Sequence, residues 1–430
     1  MITFAAPRAL RRTVRATAAA VAAVLVAGGL TGCAESADVV TVLGPWLGAE
    51  AAQFQRVLDG AGIRYQYEGT RTPAAALRSA VATADVPDIV VLPALGDLAD
   101  FVQERKARDL RGVLGTGQAE YDPYWLVDPT STRATPEEVY AVPVRASLKS
   151  MTWRDRTVTA LAPPTWSQAL AGRWCMGLGD PPNSGWPGTD WIEDILLHQR
   201  GGPALYARWA AGDLPWTAPE LRAAFTTWGG VARRAPGGLP ALLTQFGDAG
   251  RGLGDTGTGA CAYDHQPSFI LGFYRAYQPD TSRYDFSQYP PEGTGQRWSV
   301  ASTDVAGLFT DSGPARDLMR YLASARGQSA WSPGDGAFSV NRKVEVADPR
   351  SVPGRVGDIL RGRGDTRFCL DASDMMPQLM RDAFYAGVRD YLAHLDDASA
   401  LTRILRGLEA TRLASRADWY VRRPACSTDR

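Results

Sequence analysis

Val39-Val40-Thr41-Val42-Leu43 is a short β-branched run that predicts a strand, and Gly44-Pro45 ends it. Glu50 to Leu58 follows directly. In that segment Phe54, Val57 and Leu58 fall on one helical face, which predicts an amphipathic helix. A strand followed at once by a helix is the first half of a strand–helix–strand unit, so the order of these two elements favours an α/β fold.

The next three elements repeat the same order. Ile63 to Tyr67 alternates like a strand, Pro73 to Thr83 is an alanine-rich helix with proline at its start, and Ile89 to Leu92 is an apolar run typical of a buried strand. A βαβαβ order predicts a parallel sheet covered by helices. Ligands of such sheets bind beyond the carboxyl ends of the strands. The segments at those ends are Gly44 to Glu50, Glu68 to Thr72 and Pro93 to Asp97.

The rest of the chain changes in character. From Trp153 to about Ala301 it is rich in Gly, Pro and Trp, and after Val305 helices dominate. The predicted helices of these two parts are Trp191–His198, Pro203–Ala211, Pro219–Ala232, Pro314–Ala323, Pro377–His394 and Ala400–Leu413. We find no repeat of 20 to 50 residues, which argues against a solenoid.

The amino terminus has the layout of a secretory leader. Arginines precede a short apolar run, Ala18 to Gly29, and Leu30-Thr31-Gly32-Cys33 closes it. The run has roughly 12 residues, fewer than the ~20 that a bilayer-spanning helix needs. The closing motif resembles a bacterial lipobox, which predicts removal of residues 1–32 and acylation of Cys33. The alternative is a plain secretory leader with a chance cysteine. The export route, general or twin-arginine, is left open.

Charge and composition exclude several classes of function. The chain has 430 residues, 46 basic and 46 acidic side chains, and 45% hydrophobic residues, as expected of a globular protein. Because this balance leaves no strongly basic surface, we expect no nucleic-acid partner. The length behind the leader predicts two domains or one bilobed unit, and we expect a monomer.

Four cysteines remain after Cys33, an even number in an oxidising compartment, which predicts disulfides. Four cysteines allow three pairings. We favour Cys175–Cys261 together with Cys369–Cys426, and the sequence leaves the other two open.

No catalytic constellation emerges. His198, His265 and His394 are far apart and belong to no metalloprotease, zinc or nucleophile motif, so we interpret them as structural or surface residues. We expect no metal and no cofactor. The positive signal is aromatic, because tryptophan faces suit the apolar C–H faces of sugars and charged side chains suit their hydroxyls. The tryptophans expected in loops are Trp46, Trp174, Trp186 and Trp191.

Several longer segments are similar to one family, the family 1 extracellular solute-binding proteins of carbohydrate ABC transporters, and in particular to its α-glucoside-binding branch. The specific segments are Gly185-Trp186-Pro187-Gly188-Thr189-Asp190-Trp191-Ile192-Glu193-Asp194 and Ser373-Asp374-Met375-Met376-Pro377. Supporting segments are Gly44-Pro45-Trp46-Leu47-Gly48-Ala49-Glu50, Tyr67-Glu68-Gly69-Thr70-Arg71, Pro87-Asp88-Ile89-Val90-Val91-Leu92-Pro93, Leu148-Lys149-Ser150, Trp174-Cys175-Met176-Gly177, Phe246-Gly247-Asp248-Ala249 and Gln266-Pro267-Ser268-Phe269.

The resemblance implies a two-lobed periplasmic-binding-protein-like fold (type II), each lobe a mostly parallel sheet flanked by helices. The first lobe would comprise 33–148 plus about 302–350, and the second 149–301 plus about 351–430 with the C-terminal helices. The implied ligand set has two parts. The first lobe would contribute Trp46, Glu50, Glu68 and Asp97. The hinge and second lobe would contribute Lys149, Trp186, Thr189, Asp190 and Asp374.

The function that follows from the resemblance is binding without bond chemistry. A lipid-anchored receptor on the extracytoplasmic face of the membrane would capture an oligosaccharide, an α-glucoside such as maltose, trehalose or a maltodextrin, and deliver it to an ABC permease. Thr72, Arg154 and Ala337 depart from the family pattern, so the particular sugar is not predicted. Two alternatives stay open: a secreted glycoside hydrolase that uses two carboxylates, and a sugar-sensing lipoprotein.

Overall fold

The predicted βαβαβ unit forms one end of a six-stranded sheet. Strands β1 (Val40–Gly44), β2 (Tyr65–Gly69) and β3 (Ile89–Leu92) run parallel, with β1 between the other two. The helices of this part are α1 (Gly48–Asp59), α2 (Pro73–Thr83), α3 (Leu95–Gln103) and α4 (Arg111–Leu114). Helix α1 buries Phe54, Val57 and Leu58, the face that the sequence predicts.

The computed structural model describes most of the chain. The described residues are 39–133, 137–157, 170–236, 238–255, 257, 259–288, 297–331, 333–346 and 348–427, all within one compact unit. The predicted leader, residues 1–32, and the lipidation site Cys33 lie outside them. Among the described residues, no helix has the length and hydropathy that crossing a membrane requires.

Two long strands complete the first sheet and make it mixed. Strand β4 (Ala141–Leu148) pairs antiparallel with β9 (Arg297–Leu308), and β9 pairs antiparallel with β3. The other half of β9 pairs parallel with β10 (Thr366–Leu370). The predicted lobe boundary at 301/302 falls inside β9, which continues unbroken through it. The division into lobes therefore stays a prediction.

A β-bulge in β4 aims one side chain of that strand. The register with β9 shifts between Pro143 and Arg145, after which Arg145 lies opposite Asp304. Proline lacks the N–H that a ladder requires and is tolerated at bulges, and bulges re-aim neighbouring side chains. The irregularity therefore places Arg145 beside a carboxylate of the neighbouring strand.

The second sheet differs from the mostly parallel arrangement that the resemblance implies. Strand β5 (Met151–Asp155) pairs antiparallel with β7 (Tyr263–His265) and with β8 (Tyr284–Gln288), and only β6 (Trp174–Cys175) joins β7 in parallel. Parallel neighbours need a crossover connection that covers the sheet. This Gly- and Pro-rich part of the sequence does not alternate strand and helix as the first part does, so the result is a mixed α/β architecture.

Helices surround both sheets. Those after β6 are α5 (Trp186–His198), α6 (Gly202–Ala210), α7 (Pro219–Ala232), α8 (Phe246–Ala249), α9 (Ile270–Tyr277), α10 (Gly313–Ala323), α11 (Ala325–Ser329), α12 (Val352–Leu360), α13 (Ala372–Met375), α14 (Gln378–Ala393) and α15 (Ala400–Ala414). The prediction that α5 begins at Trp191 was wrong. The helix begins at Trp186, because Pro187 occupies its first turn, where a missing N–H costs nothing.

The favoured disulfide pairing is confirmed. Cys175 on β6 bonds Cys261, just before β7, and Cys369 on β10 bonds Cys426 in the C-terminal tail. In the chain-entropy model, closing the loop between Cys175 and Cys261 stabilises the protein by about 4 kcal/mol. The first bond holds the segments of the second sheet together, and the second holds the tail against β10.

Candidate functional site

A cleft that is open to solvent lies beyond the carboxyl ends of β1, β2 and β3. This is the edge of the sheet at which the sequence predicts a ligand. Trp46 and Glu50 follow β1, Arg71 and Thr72 follow β2, and Pro93, Ala94 and Asp97 follow β3. Other walls come from β4, β9, α8, α14 and the segments around Lys149, Asp180 and Trp186.

One side of the cleft is organised by a single guanidinium, and we call it the Arg145 cluster: Arg145, Glu50, Asp304, Arg71 and Trp46. The Arg145 side chain donates from Nε to Asp304 (2.7 Å) and from Nη1 to Glu50 (2.9 Å). Arg71 Nη1 lies 3.4 Å from the second Glu50 oxygen. Burial raises the pKa of Asp304, and Arg145 opposes the rise. Each carboxylate in the cluster thus has a guanidinium partner.

Trp46 forms the floor beneath this cluster. It is only 1% exposed, and its ring packs edge-on against Phe54 and Trp331 at centroid distances of 4.7 and 5.4 Å. The Arg145 guanidinium lies 4.8 Å from the centre of the Trp46 ring. The tryptophan therefore serves both the hydrophobic core and the cleft.

A second charged group, the Lys149 cluster, comprises Lys149, Asp190, Glu193, Asp371 and Asp374. Lys149 Nζ lies 2.5 Å from Asp371 and 3.0 Å from Asp190, and its side chain is 9% exposed. Burial works against ionisation of Asp371, yet Lys149, the Ser373 hydroxyl and the Asp374 N–H together lower its pKa. Burial raises the pKa of Asp190 to about 8, against the pull of Lys149. Asp371 is thus the ionised partner of the ammonium.

Two further carboxyl groups make this cluster rich in acid. Glu193 is fully buried and accepts hydrogen bonds from the Ala372 and Ser373 N–H groups and from the Tyr206 hydroxyl. Burial, with Asp371, raises the pKa of both Glu193 and Asp374 well above the ordinary value. Asp374 borders the cleft.

The oxygens of Asp190, Glu193 and Asp371 lie within 4.8 Å of one another, a spacing that a metal ion tolerates. The Lys149 ammonium is already between two of them. It supplies the positive charge that such a group requires.

An aromatic wall faces the charged side chains. Trp186 is 9% exposed, its indole N–H donates to Asp180 (3.0 Å), and its ring lies 4.9 Å from Phe246 and 5.8 Å from Phe269. Lys149 Nζ lies 5.3 Å above the same ring. Sequence reasoning missed Phe246 and Phe269 as lining residues, although both belong to segments that resemble the family.

Helix α14 contributes a polar stripe that sequence reasoning also missed. Gln378, Arg381, Asp382 and Tyr385 all border the cleft. Their i, i+3, i+4, i+7 spacing puts them on one helical face, and this was the available signal. Arg381 Nη2 donates to both oxygens of Asp97, at 2.7 and 2.9 Å.

The nine implied ligand residues are placed differently by the structure. Those that line the cleft are Trp46, Glu50, Asp97, Lys149, Trp186 and Asp374. Glu68 is exposed on β2, where alternation turns Tyr67 to the other face. Thr189 is fully buried and donates to the Trp186 carbonyl (2.8 Å), and Asp190 lies behind Lys149. These three support or flank the wall and are not part of it.

Two of the tryptophans expected in loops are core residues. Trp174 and Trp191 are 0% and 3% exposed, and their rings meet at 4.6 Å. The expectation that both offer faces to a sugar was wrong, because neither borders the cleft. Their rings instead pack against each other between strand β6 and helix α5.

A buried serine, aspartate and histidine meet beside the Lys149 cluster, but in an order that does not suit catalysis. Ser150 donates to Asp194, and His265 Nε2 lies 2.7 Å from the other Asp194 oxygen. Ser150 also accepts from the Val300 N–H. Since the carboxylate separates hydroxyl from imidazole, His265 is not placed to take the serine proton. The network ties β7, β9 and α5 together.

A family model, described as bacterial extracellular solute-binding protein, matches residues 50–351. The chain belongs to this family. The family assignment agrees with the expectation of a binding protein, and the alternative of a hydrolase is not favoured.

Two relatives match over most of their length. The osmoprotective compounds-binding protein GgtB of Synechocystis sp. is 32% identical over 400 residues, which cover 86% of this chain and 93% of the relative. The alpha-glucosides-binding periplasmic protein AglE of Rhizobium meliloti is 26% identical, covering 87% of each chain.

Solved structures agree on the fold. The bacterial solute receptor AcbH, which prefers β-D-galactopyranose, superposes with a TM-score of 0.71 at 14% identity, covering 88% of this chain and 99% of that one. The predicted two-lobed, periplasmic-binding-protein-like class of this solute-binding protein is confirmed.

Proposed function

We propose that this solute-binding protein is a receptor for an uncharged α-glucoside, which it delivers to an ABC permease as a monomer. Its proposed place is the extracytoplasmic face of the cell membrane, where acylated Cys33 anchors it. Two acyl chains hold a protein stably, whereas one does so only marginally. The proposed ligand-contacting residues are those of the implied set that line the cleft, except Asp97, whose two oxygens both accept from Arg381.

The observation that carries the proposal is the pairing of an aromatic plate with fixed charged groups across one cleft. Trp186 offers an indole face, and the Arg145 cluster presents carboxylate and guanidinium edges whose positions are held by one another. A sugar ring has apolar C–H faces and a rim of hydroxyls. Both surfaces of such a ligand are therefore complemented, and the polar groups need no reorganisation on binding.

Charge in the cleft supports an uncharged ligand. Carboxyl groups outnumber cations among the lining residues even without Asp374, whose pKa is raised, and this disfavours a sugar phosphate or sugar acid. The carboxylates are Glu50, Asp97, Asp180, Asp304, Asp374 and Asp382, and the cations are Arg71, Arg145, Lys149 and Arg381.

The aromatic faces bear on the other class of charged ligand, a quaternary ammonium osmolyte. Such cations bind over tryptophan rings. Here Arg145 and Lys149 lie 4.8 and 5.3 Å from the ring centres of Trp46 and Trp186, so a second cation at either ring would meet a like charge, whereas a neutral sugar would not. A quaternary ammonium compound is therefore disfavoured, whereas neutral compounds such as the alpha-glucosides named for the second relative suit the cleft.

The mechanism is closure of the cleft on the solute. The Asn183 amide donates to the Arg71 carbonyl (3.3 Å) across the mouth, and this contact joins the loop before α5 to the loop after β2. A ligand that touches both sides favours the closed form by its differential affinity. The permease would then recognise that form.

Calorimetry with trehalose, maltose and maltotriose, and with glycine betaine and glucose 1-phosphate for comparison, tests the ligand class. We expect binding of at least one glucoside and none of the two charged compounds. Tighter binding of either charged compound would overturn the proposal. Turnover of a chromogenic α-glucoside would instead favour the hydrolase.

Membrane anchoring has its own test. Because acylation needs the thiol, Cys33→Ser should release the protein from membranes into the soluble fraction. The control is the wild-type protein, which retains Cys33. If the variant stays membrane-bound after a high-salt wash, the lipoprotein hypothesis fails. Sugar uptake by cells that lack this protein distinguishes the two roles. Uptake should fall if the protein serves transport and should persist if it serves sensing.

A further inference from the structure

Arg381 occupies an unusual position in the cleft wall. The residue is 8% exposed, and its Nη2 is engaged by both oxygens of Asp97. Its Nη1 is buried and has no hydrogen-bond partner within the described part of the chain. A buried guanidinium N–H without an acceptor is costly, and most such groups in proteins are satisfied. The free donor belongs to a side chain that borders the cleft.

Asp97 is committed to Arg381. It is 3% exposed on α3, and both of its oxygens face the same guanidinium nitrogen. The two helices are fixed against each other at this point. A Cβ on Gly96 would come within 2.0 Å of the Met376 carbonyl oxygen, so the start of α3 packs directly on the segment that precedes α14. The pair is thus held in one geometry.

We infer that Arg381 donates from Nη1 to an oxygen of the bound solute, and that Asp97 is a positioning residue that acts through Arg381. This inference rests on the proposed function. It replaces the implied role of Asp97 as a direct ligand contact and makes Arg381 a specificity-determining residue of the α14 wall.

The surroundings define the kind of oxygen to which Arg381 can donate. Asp97 balances its charge, and the carboxyl groups of Asp374 and Asp382 lie in the same wall. Because Asp97 already balances the charge of Arg381, this wall offers no unpaired positive charge to an anionic oxygen, whereas a sugar hydroxyl or ring oxygen needs none. A hydroxyl can also donate to a neighbouring carboxyl group. The wall therefore suits a neutral polyol edge.

Three variants, measured by calorimetry with the best-bound of trehalose, maltose and maltotriose, test the inference. Arg381→Lys keeps a cation for Asp97 but removes Nη1, so affinity should fall about 10- to 100-fold. Asp97→Asn loosens the guanidinium and should cost less. The double variant should bind no more weakly than Arg381→Lys alone, because Asp97 acts only through Arg381.

Asp100→Asn is the matched control, since Asp100 lies on the same helix and pairs with Arg78 outside the cleft. Its affinity should equal that of the wild type. Thermal melts report stability separately, so that a purely structural role changes the melting temperature without changing Kd.

The outcomes are distinct. Wild-type affinity in Arg381→Lys, or losses that multiply in the double variant, would overturn this inference and leave the proposed function intact. Failure of the wild-type protein to bind any of the three sugars would overturn both.

Discussion

The Arg145 cluster and the Lys149 cluster both border one cleft and both pair cations with carboxyl groups, yet their charge balance differs. Arg145 spreads a fork over Glu50 and Asp304, and Arg71 shares Glu50, so charges are paired. Lys149 is a single ammonium among Asp190, Glu193, Asp371 and Asp374, which leaves carboxyl groups in excess. The guanidinium side fixes geometry because one planar group donates to two carboxylates, whereas the carboxyl groups of the ammonium side retain protons.

The difference teaches that burial of charge serves two purposes here. The Arg145 cluster presents oriented hydrogen-bonding edges to the cleft. The Lys149 cluster joins the end of β4, helix α5 and the segment after β10, because its members come from all three. One group is suited to recognition, and the other holds the walls of the cleft together.

Removing the cation should lower the free energy of unfolding in both clusters, and the loss should differ between them. Lys149→Met leaves the buried, ionised Asp371 without a counter-charge, and we expect a loss of about 3–5 kcal/mol in the free energy of unfolding at pH 7. Arg145→Met leaves Glu50 with Arg71 and should cost about 1–3 kcal/mol. Urea unfolding of both variants measures the difference. Equal losses would show that the two clusters do not differ in this way.

Trp46 and Trp186, whose rings each lie near a cation, should differ in their effects on stability and on affinity. Trp186→Ala should weaken sugar binding by about 2 kcal/mol or more, because Trp186 is a central aromatic face of the cleft. Trp46→Ala should mainly destabilise the fold, by about 3–5 kcal/mol, because its ring packs on Phe54 and Trp331. Calorimetry and melts on both proteins measure the two effects. Unchanged affinity in a folded Trp186→Ala protein would place the ligand elsewhere.

The last expected effect is a change in pH dependence. The pKa of Asp190 is raised to about 8 by burial, far above that of an unfolded aspartate. The folded state therefore holds a proton that the unfolded state has released between about pH 4 and pH 8, so the contribution of Asp190 to stability is full below pH 4 and is lost as pH rises to about 8. Asp190→Asn should flatten this decline. Asp304→Asn, in the Arg145 cluster, is the comparison.

Unfolding free energies at pH 5, 7 and 8.5 for wild type and both variants measure the effect. A decline in Asp190→Asn as steep as in the wild type would assign the proton to another group, Glu193 or Asp374, whose pKa values burial also raises.

Local pattern was sufficient for the βαβαβ part of the first sheet and insufficient for the second sheet. The helix at Pro73–Thr83 and the strand at Ile89–Leu92 have the bounds that the sequence predicts, because proline, alanine content and apolar runs act within a few residues. The pairing of β5 with β7 and β8 joins segments more than a hundred residues apart. Which strands β5 pairs with depends on how distant segments of the chain pack together, and no local sequence pattern encodes that.

The sequence by itself determined the α/β class, the cleft edge beyond β1 to β3, and Trp46, Glu50 and Trp186 as residues of that cleft. Each follows from periodicity, strand order or resemblance along a continuous segment. Only the tertiary structure decided that Trp174 and Trp191 pack in the core, that Glu68 faces solvent, and that α14 brings Arg381 to Asp97. Such outcomes depend on distances between segments that are far apart in the chain, and burial and charge pairing acquire their energies only when the folded chain sets those distances.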